Sequence, residues 1–98
     1  MPDPEPSPEP EAVRLYAVYL GGDPAPGRLG EDHEVVMVVA PSVRLARQAA
    51  RQKWGAATRP HVDAVQVVQV VDGYRITLVA TGEPDSVEID VTYEPPEA

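Results

Sequence analysis

Four residues of this 98-residue chain have side chains that could bind a metal ion or move a proton. Glu31 and His33 form an acid-x-His segment, and His61 and Asp63 form a His-x-acid segment. Imidazole nitrogens and carboxylate oxygens ligate Zn²⁺ and similar ions, and the same groups act as general acids and bases. These four residues are therefore the candidate ligand or metal site.

The position of the two segments gives this site a geometric basis. Each segment comes just before a predicted β-strand, so two parallel neighbouring strands would bring both to the same edge of a sheet. The alternative is that each histidine hydrogen-bonds its own loop and each acid caps a strand, because partly buried histidines are common without a function. The sequence also offers no nucleophile: cysteine is absent, and Ser42 is predicted to cap a helix. No catalytic residue and no cofactor are predicted, and a non-enzymatic protein is favoured.

A second candidate surface is the polar face of a predicted helix. Arg44, Arg47 and Arg51 fall within about 60° of one another on a helical wheel, and Trp54 stands at the helix end. This face could dock an acidic protein segment, a phosphate or single-stranded nucleic acid, with Trp54 stacking on a base. The alternative is an ordinary solvated face, with Trp54 closing the core.

The charge balance limits the partners. The net charge is -8, which argues against broad binding to nucleic acid or to an anionic membrane, although nucleic acid is not excluded. Five of the eight Lys and Arg residues nevertheless lie between Arg44 and Arg59, so the helix is a basic island in an acidic chain. No signal peptide and no apolar run of about 20 residues is present, which predicts a cytoplasmic protein without a membrane span.

The elements that must position these residues form one domain. Residues 1–12 are rich in Pro and Glu and are predicted to be a disordered arm, residues 13–94 a single α+β domain, and residues 95–98 a short disordered tail. Ser42 begins a helix that runs to about Trp54, with a clear period of 3.6. Apolar runs and alternating patterns predict five strands, at residues 13–20, 34–40, 62–71, 74–80 and 87–93.

The predicted fold is a mostly antiparallel five-stranded sheet with the helix on one face, in the order β-β-α-β-β-β. The first strand is apolar on both sides and is expected to be central. A slip in the alternation at Val67 and Val68 predicts a β-bulge. Asp72 and Gly73 predict a two-residue type I′ hairpin turn.

Several short sequence motifs, taken in order, resemble those of a family of small bacterial proteins known as domain of unknown function 1543. They are Leu-Gly-Gly at the end of residues 15–22, Glu-Asp-His-Glu at 31–34, Lys-Trp at 53–54, His-Val-Asp at 61–63 and Asp-Gly-Tyr at 72–74. The resemblance spans roughly residues 15–78, and Glu34 stands where the family usually has Asp. The resemblance implies that these motifs belong to one fold, and it implies no activity.

The leading functional hypothesis is therefore a small binding module whose partner is a protein, met by the basic helix face or by the open face of the sheet. A homodimer is left open. The alternative hypothesis is a metal- or small-ligand-binding domain that uses the two histidines and two acids, with weak enzyme activity not excluded. A third hypothesis is binding of nucleic acid or phosphate through the arginine face.

Overall fold

The computed structural model describes residues 12–24, 26–55 and 59–97, so the predicted disordered arm lies outside the described residues apart from Ala12. The described chain contains one helix and five strands. They are β1 (Arg14–Gly22), β2 (Asp32–Ala40), α1 (Val43–Lys53), β3 (His61–Val68), β4 (Val70–Val71) and β5 (Tyr74–Arg75).

Strand β1 is the centre of the main sheet, as its apolar composition predicted. The strand order is β2-β1-β3, and both neighbours run antiparallel to β1. Strands β2 and β3 are therefore parallel to each other but are separated by β1. The chain passes from β2 through α1 to β3 and so places the helix on one face of the sheet.

The prediction of five strands in one sheet is wrong. The structure has a three-stranded antiparallel sheet and a separate two-stranded ribbon of β4 and β5. The predicted strand at 62–71 is interrupted at Gln69, the strand at 74–80 ends at Arg75, and residues 87–93 form no strand within the described chain. The α+β class, the antiparallel pairing and the element order up to the hairpin are confirmed.

Helix α1 begins where the sequence predicted. Ser42 is the N-cap, in an extended conformation with φ -150° and ψ 162°, and its Oγ accepts a hydrogen bond of 3.2 Å from the backbone N–H of Leu45. This bond satisfies one of the free N–H groups of the first turn. Helix α1 is the one α-helix among the described residues. No helix among these residues is long and apolar enough to cross a membrane.

The core lies between α1 and the face of the sheet that it covers. Small side chains on the helix let it approach the sheet closely, and the alternate residues of β1 and β2 fill the space beneath it. The buried apolar residues of the described chain are Tyr16, Val18, Leu20, Val36, Val38, Ala40, Ala46 and Ala50. The remaining alternate residues of these strands point to the other side, which we call the open face.

The hairpin turn is also as predicted. Asp72 and Gly73 have φ values of 53° and 83°, and the turn joins Val71 to Tyr74. Positive φ at both central residues is the requirement of a type I′ turn, which explains the Asp-Gly pair. The predicted bulge at Val67 and Val68, in contrast, is wrong, because the register of β3 on β1 shifts near Asp63.

Candidate functional site

The candidate site forms around Gly21, near the end of the central strand. Gly21 pairs with His33 of β2 on one side and with His61 of β3 on the other. The sequence left open whether the two histidines converge, and it allowed convergence at one sheet edge only if their strands were parallel neighbours. They do reach one edge, but the two strands flank β1 instead of pairing with each other.

A β-bulge at Asp63 places His61 on the correct face. Tyr19 pairs with Ala64 and the next residue, Leu20, pairs with Val62, so Asp63 is an extra residue in β3. Val62 consequently packs against the core, and His61 points to the open face beside Gly21. Without the extra residue the alternation would send His61 to the helix side, because a shift of one residue exchanges the faces of a strand.

The absence of a side chain at Gly21 leaves the room in which the two imidazoles meet. A Cβ atom at this position would lie 2.8 Å from Nε2 of His61 and 2.9 Å from Nδ1 of His33. Two nitrogens from two different strands therefore face one point. Any larger residue at position 21 would fill that point.

The two carboxylates complete the cluster. Asp63 lies between the histidines, with Oδ1 3.1 Å from Nε2 of His61 and Oδ2 3.9 Å from Nδ1 of His33. Glu31 Oε2 is 3.8 Å from Nε2 of each histidine. The four side chains are 37–50% exposed, so the cluster is open to solvent.

These separations are close to those around a bound ion. A tetrahedral ion with ligand atoms at about 2.1 Å holds those atoms about 3.4 Å apart, and Asp63 lies 3.9 Å from His33 Nδ1 and 3.1 Å from His61 Nε2, the two nitrogens that face Gly21. Among the residues that the structure describes, no group of three or more such side chains already converges on one ion position. Rotation of the exposed side chains is therefore needed to close a complete coordination sphere.

Two further residues shape the site and were not predicted from the sequence to do so. Gly21 lies just beyond the strand predicted at residues 13–20, and Tyr19 lies within it. The ring of Tyr19 stacks on that of His33, with centroids 5.2 Å apart and planes 12° apart, and this contact orients the imidazole. The available signal was the pair Gly21-Gly22 that follows Leu20, since a glycine within a strand often marks a close approach.

The arginine face of α1 is only partly assembled. Arg44 and Arg51 line an open cleft of about 510 Å³ together with Arg59, and Arg47 is not part of its lining. Trp54 is half-buried and packs against the core, as the alternative interpretation expected. Its indole N–H is buried and has no acceptor within the described chain, so this ring is not offered for stacking on a base.

Comparison with known proteins agrees with the resemblance found in the sequence. The model of a family described as Domain of Unknown Function (DUF1543) matches residues 28–78, just over half of the chain, and this range includes all four residues of the candidate site. The crystal structure of a protein Il1583 from Idiomarina loihiensis is similar, with 38% identity and a TM-score of 0.57. The similarity covers 65% of this chain and 44% of that one, so the chain spans less than half of that protein's length. No curated protein matches the chain.

Proposed function

We propose that this chain, which belongs to the DUF1543 family, is a small non-enzymatic binding domain that holds a divalent transition-metal ion between His33 and His61. The observation that carries the proposal is the convergence of two imidazole nitrogens on the vacant side-chain position of Gly21. One nitrogen comes from β2 and the other from β3, and these two strands do not pair with each other. Pairing between the two strands therefore does not explain why their histidines face the same point.

The charge of the cluster favours a cation. Two carboxylates, Glu31 and Asp63, lie within 4 Å of the histidines, and with neutral imidazoles the group carries a charge of about -2. A divalent ion neutralises this charge and satisfies the lone pairs of both nitrogens. Asp63 is the natural third ligand, because each of its oxygens already lies near one of the nitrogens.

The donor set also limits the choice of ion. The chain has no cysteine, so soft thiolate coordination is excluded. Two imidazoles with one or two carboxylates suit Zn²⁺, Ni²⁺, Co²⁺ and Fe²⁺ better than Mg²⁺ or Ca²⁺, which prefer all-oxygen sites. In this arrangement Tyr19 holds the ring of His33, and Glu31 supplies either a fourth ligand or a charge near the ion.

Metal titration tests the proposal. The full chain would be titrated with Zn²⁺ and Ni²⁺ by calorimetry, and with Co²⁺ by visible absorption, which reports the coordination geometry. His33→Ala and His61→Ala each remove one nitrogen and should weaken binding at least ~100-fold. Glu34→Gln is the matched control, since Glu34 follows His33 in β2 and pairs with Leu20 on the other side of the sheet.

Each outcome of the titration either supports or overturns the proposed metal site. Binding of one ion per chain that is lost in both histidine variants and kept in the control supports the proposal. No heat and no cobalt band with the wild-type chain overturns it, and so does equal binding by a variant that lacks both histidines.

A second candidate function is anion binding in the cleft beside α1. Its lining contains three arginines, Arg44, Arg51 and Arg59, and includes no acidic residue within the described chain. Guanidinium groups bind phosphate in bidentate fashion, so three of them around one cleft suit the binding of a phosphate group, free or in a nucleic acid. Arg51→Gln should reduce the salt-dependent retention of the chain on a phosphate or single-stranded DNA resin, whereas Arg47→Gln, outside the lining, should not. Equal retention of the two variants would reject this candidate.

A further inference from the structure

The segment after β5 carries several exposed large apolar side chains, and we call residues 76–93 the C-terminal arm. Four large side chains, Val87, Ile89, Val91 and Tyr93, alternate along its second half. They are 84%, 77%, 87% and 80% exposed. The segment forms no strand within the described chain, but residues two apart lie on the same side whenever a chain is extended. An extended arm would therefore present these four as one apolar stripe, with Glu88 and Asp90 between them on the other side.

The backbone of the arm also lacks partners. Within the described chain, the backbone N–H groups that donate hydrogen bonds between residues 77 and 97 are those of Glu83 and Thr92. Each donates to a side chain two residues earlier, at Thr81 and Asp90. An extended segment that neither pairs with a strand nor buries its apolar stripe is unstable in water. The described residues of this chain therefore leave the apolar side of the arm without a covering surface.

The open face of the main sheet is an apolar surface of matching type. Along β2, the residues Val35, Met37 and Val39 point away from α1 and are 60%, 45% and 52% exposed. Strand β2 is an edge strand of the three-stranded sheet. This surface and the arm stripe are exposed at the same time in the same molecule.

The arm is anchored beside this surface before it leaves. Lys53 Nζ donates one hydrogen bond of 2.8 Å to the carbonyl of Met37 in β2 and one of 3.0 Å to Oδ2 of Asp85 in the arm. A cleft of about 490 Å³ is lined by Met37 and Val39 of the sheet and by Val87 of the arm. The anchor brings the arm to the rim of the open face, and beyond Val87 the stripe faces solvent instead of turning back onto its own sheet.

We infer that the C-terminal arm and the open face are the two halves of an interface between two copies of this chain. The stripe of each arm packs on Val35, Met37 and Val39 of the second copy, and the arrangement is reciprocal about a two-fold axis. A self-complementary pair of surfaces carried by one chain is the requirement of such a dimer.

The available area and the charge pattern fit this assignment. The whole exposed surface of the four stripe residues and of the three open-face residues sets an upper limit of roughly 850 Å² per copy, comparable to the about 800 Å² per partner of a standard interface. On the other side of the arm, Glu88 and Asp90 stay in solvent and limit further strand-to-strand association, which closes the assembly at two copies.

Two measurements on the full chain test the inference. Sedimentation equilibrium should give a dimer for the wild-type chain. Ile89→Asp, within the stripe, should raise the dimer dissociation constant at least ~100-fold, because it places a charge in two symmetry-related contacts. Thr92→Asp is the matched control on the other side of the arm and should change that constant less than ~3-fold. Both positions are exposed, so neither change should affect the fold.

Engineered cysteines identify the partner. The chain has no cysteine, so Ile89→Cys and Met37→Cys each introduce a single thiol. The two variants are mixed and oxidised, and a disulfide between the two different chains shows that an arm reaches the sheet of another copy. A monomeric wild-type chain overturns the inference, as does a dimer that Ile89→Asp leaves intact or a mixture that forms no mixed disulfide.

Discussion

The two adjacent glycines at the end of β1 face opposite sides of the sheet, and this provides a sharp test of the site. Gly21 lies on the open face between the two histidines, and Gly22 lies against the residues that follow α1. In Gly21→Ala, the new Cβ would lie 2.8 Å from His61 Nε2 and 2.9 Å from His33 Nδ1, closer than real Cβ atoms approach other atoms. The obstructing atoms are the ends of exposed side chains, so the imidazoles turn away and the backbone stays in place.

Two opposing effects set the stability of Gly21→Ala. Replacing a strand glycine by alanine stabilises the fold by about 0.5–1 kcal/mol through the smaller backbone entropy of the unfolded chain. Displacing two imidazoles from their preferred rotamers costs about 0.5–1.5 kcal/mol each. The free energy of unfolding should therefore fall by no more than about 2.5 kcal/mol, while metal affinity should fall at least ~100-fold because both nitrogens leave the common point.

Gly22→Ala is the matched control with the opposite outcome. Its Cβ would lie 3.1 Å from Cζ2 of Trp54 and 3.3 Å from the Cα of Pro60, which are a half-buried ring and a backbone atom. Neither can rotate away, so overpacking should cost about 1–3 kcal/mol of stability. The histidines lie on the other side of the strand, and metal affinity should be unchanged.

Urea denaturation and metal titration on the two variants measure both quantities. The reasoning requires that Gly21→Ala lose the metal and keep its fold, and that Gly22→Ala lose stability and keep the metal. Metal binding by Gly21→Ala with wild-type affinity would refute it, because the new Cβ occupies the point at which the two nitrogens meet.

Three further outcomes follow from local contacts. Ser42→Ala removes the acceptor of the Leu45 N–H and should lower the free energy of unfolding by about 1 kcal/mol, as measured by urea denaturation. Gly73→Ala places a Cβ at φ 83° and should cost about 1 kcal/mol in the same assay, through strain in the hairpin turn. The pKa of Asp90 is lowered because the backbone N–H and then the hydroxyl of Thr92 hydrogen-bond its carboxylate; this support is present above the unfolded-state pKa and is lost as pH falls through the folded value. Carboxyl NMR titration should show the lowered pKa in the wild-type chain and its return towards the ordinary value in Thr92→Pro.

The local elements were predictable because their signals are local. A cap at Ser42 followed by a period of 3.6 specifies a helix start and a buried face within one dozen residues. The Asp-Gly turn at residues 72–73 is equally local, since only two φ values define it. In both cases the residue types satisfy a requirement that does not depend on the rest of the fold.

The strand partners were not predictable, because strand pairing does not depend on local signals alone. The alternation at residues 87–93 specifies an extended segment with one apolar side, and it contains no information about which surface covers that side. The single-sheet prediction assumed that every strand pairs within the chain. The break at Gln69 ends β3, and the anchor between Lys53 and Asp85 brings the arm to the rim of β2 without pairing it to a strand of the sheet.

The residue types of the candidate site were predictable, whereas the strand register that brings them together was not. The four side chains were predicted from their types, but the device that assembles them is the extra residue Asp63 together with the bare position of Gly21. The sequence favoured a bulge at Val67 and Val68, where the apolar pattern slips. The bulge at Asp63 also breaks the alternation, since Val62 and Val65 both pack against the core although they are three residues apart, but this spacing was not interpreted as a bulge.

The small core links the proposed dimer to stability. Val18 and Leu20 are the two large side chains that are fully buried among the described residues, and two alanines supply the helix side of the core. A chain of this size folds with little margin, so burial of the arm stripe should contribute a substantial part of the total. If folding and association are coupled, a tenfold increase in protein concentration adds about 1.4 kcal/mol of stability per dimer. Urea midpoints of the wild-type chain should therefore rise with concentration, and those of Ile89→Asp should be lower and independent of it. A wild-type midpoint that does not change with concentration would show that the sheet and helix are stable without a second copy.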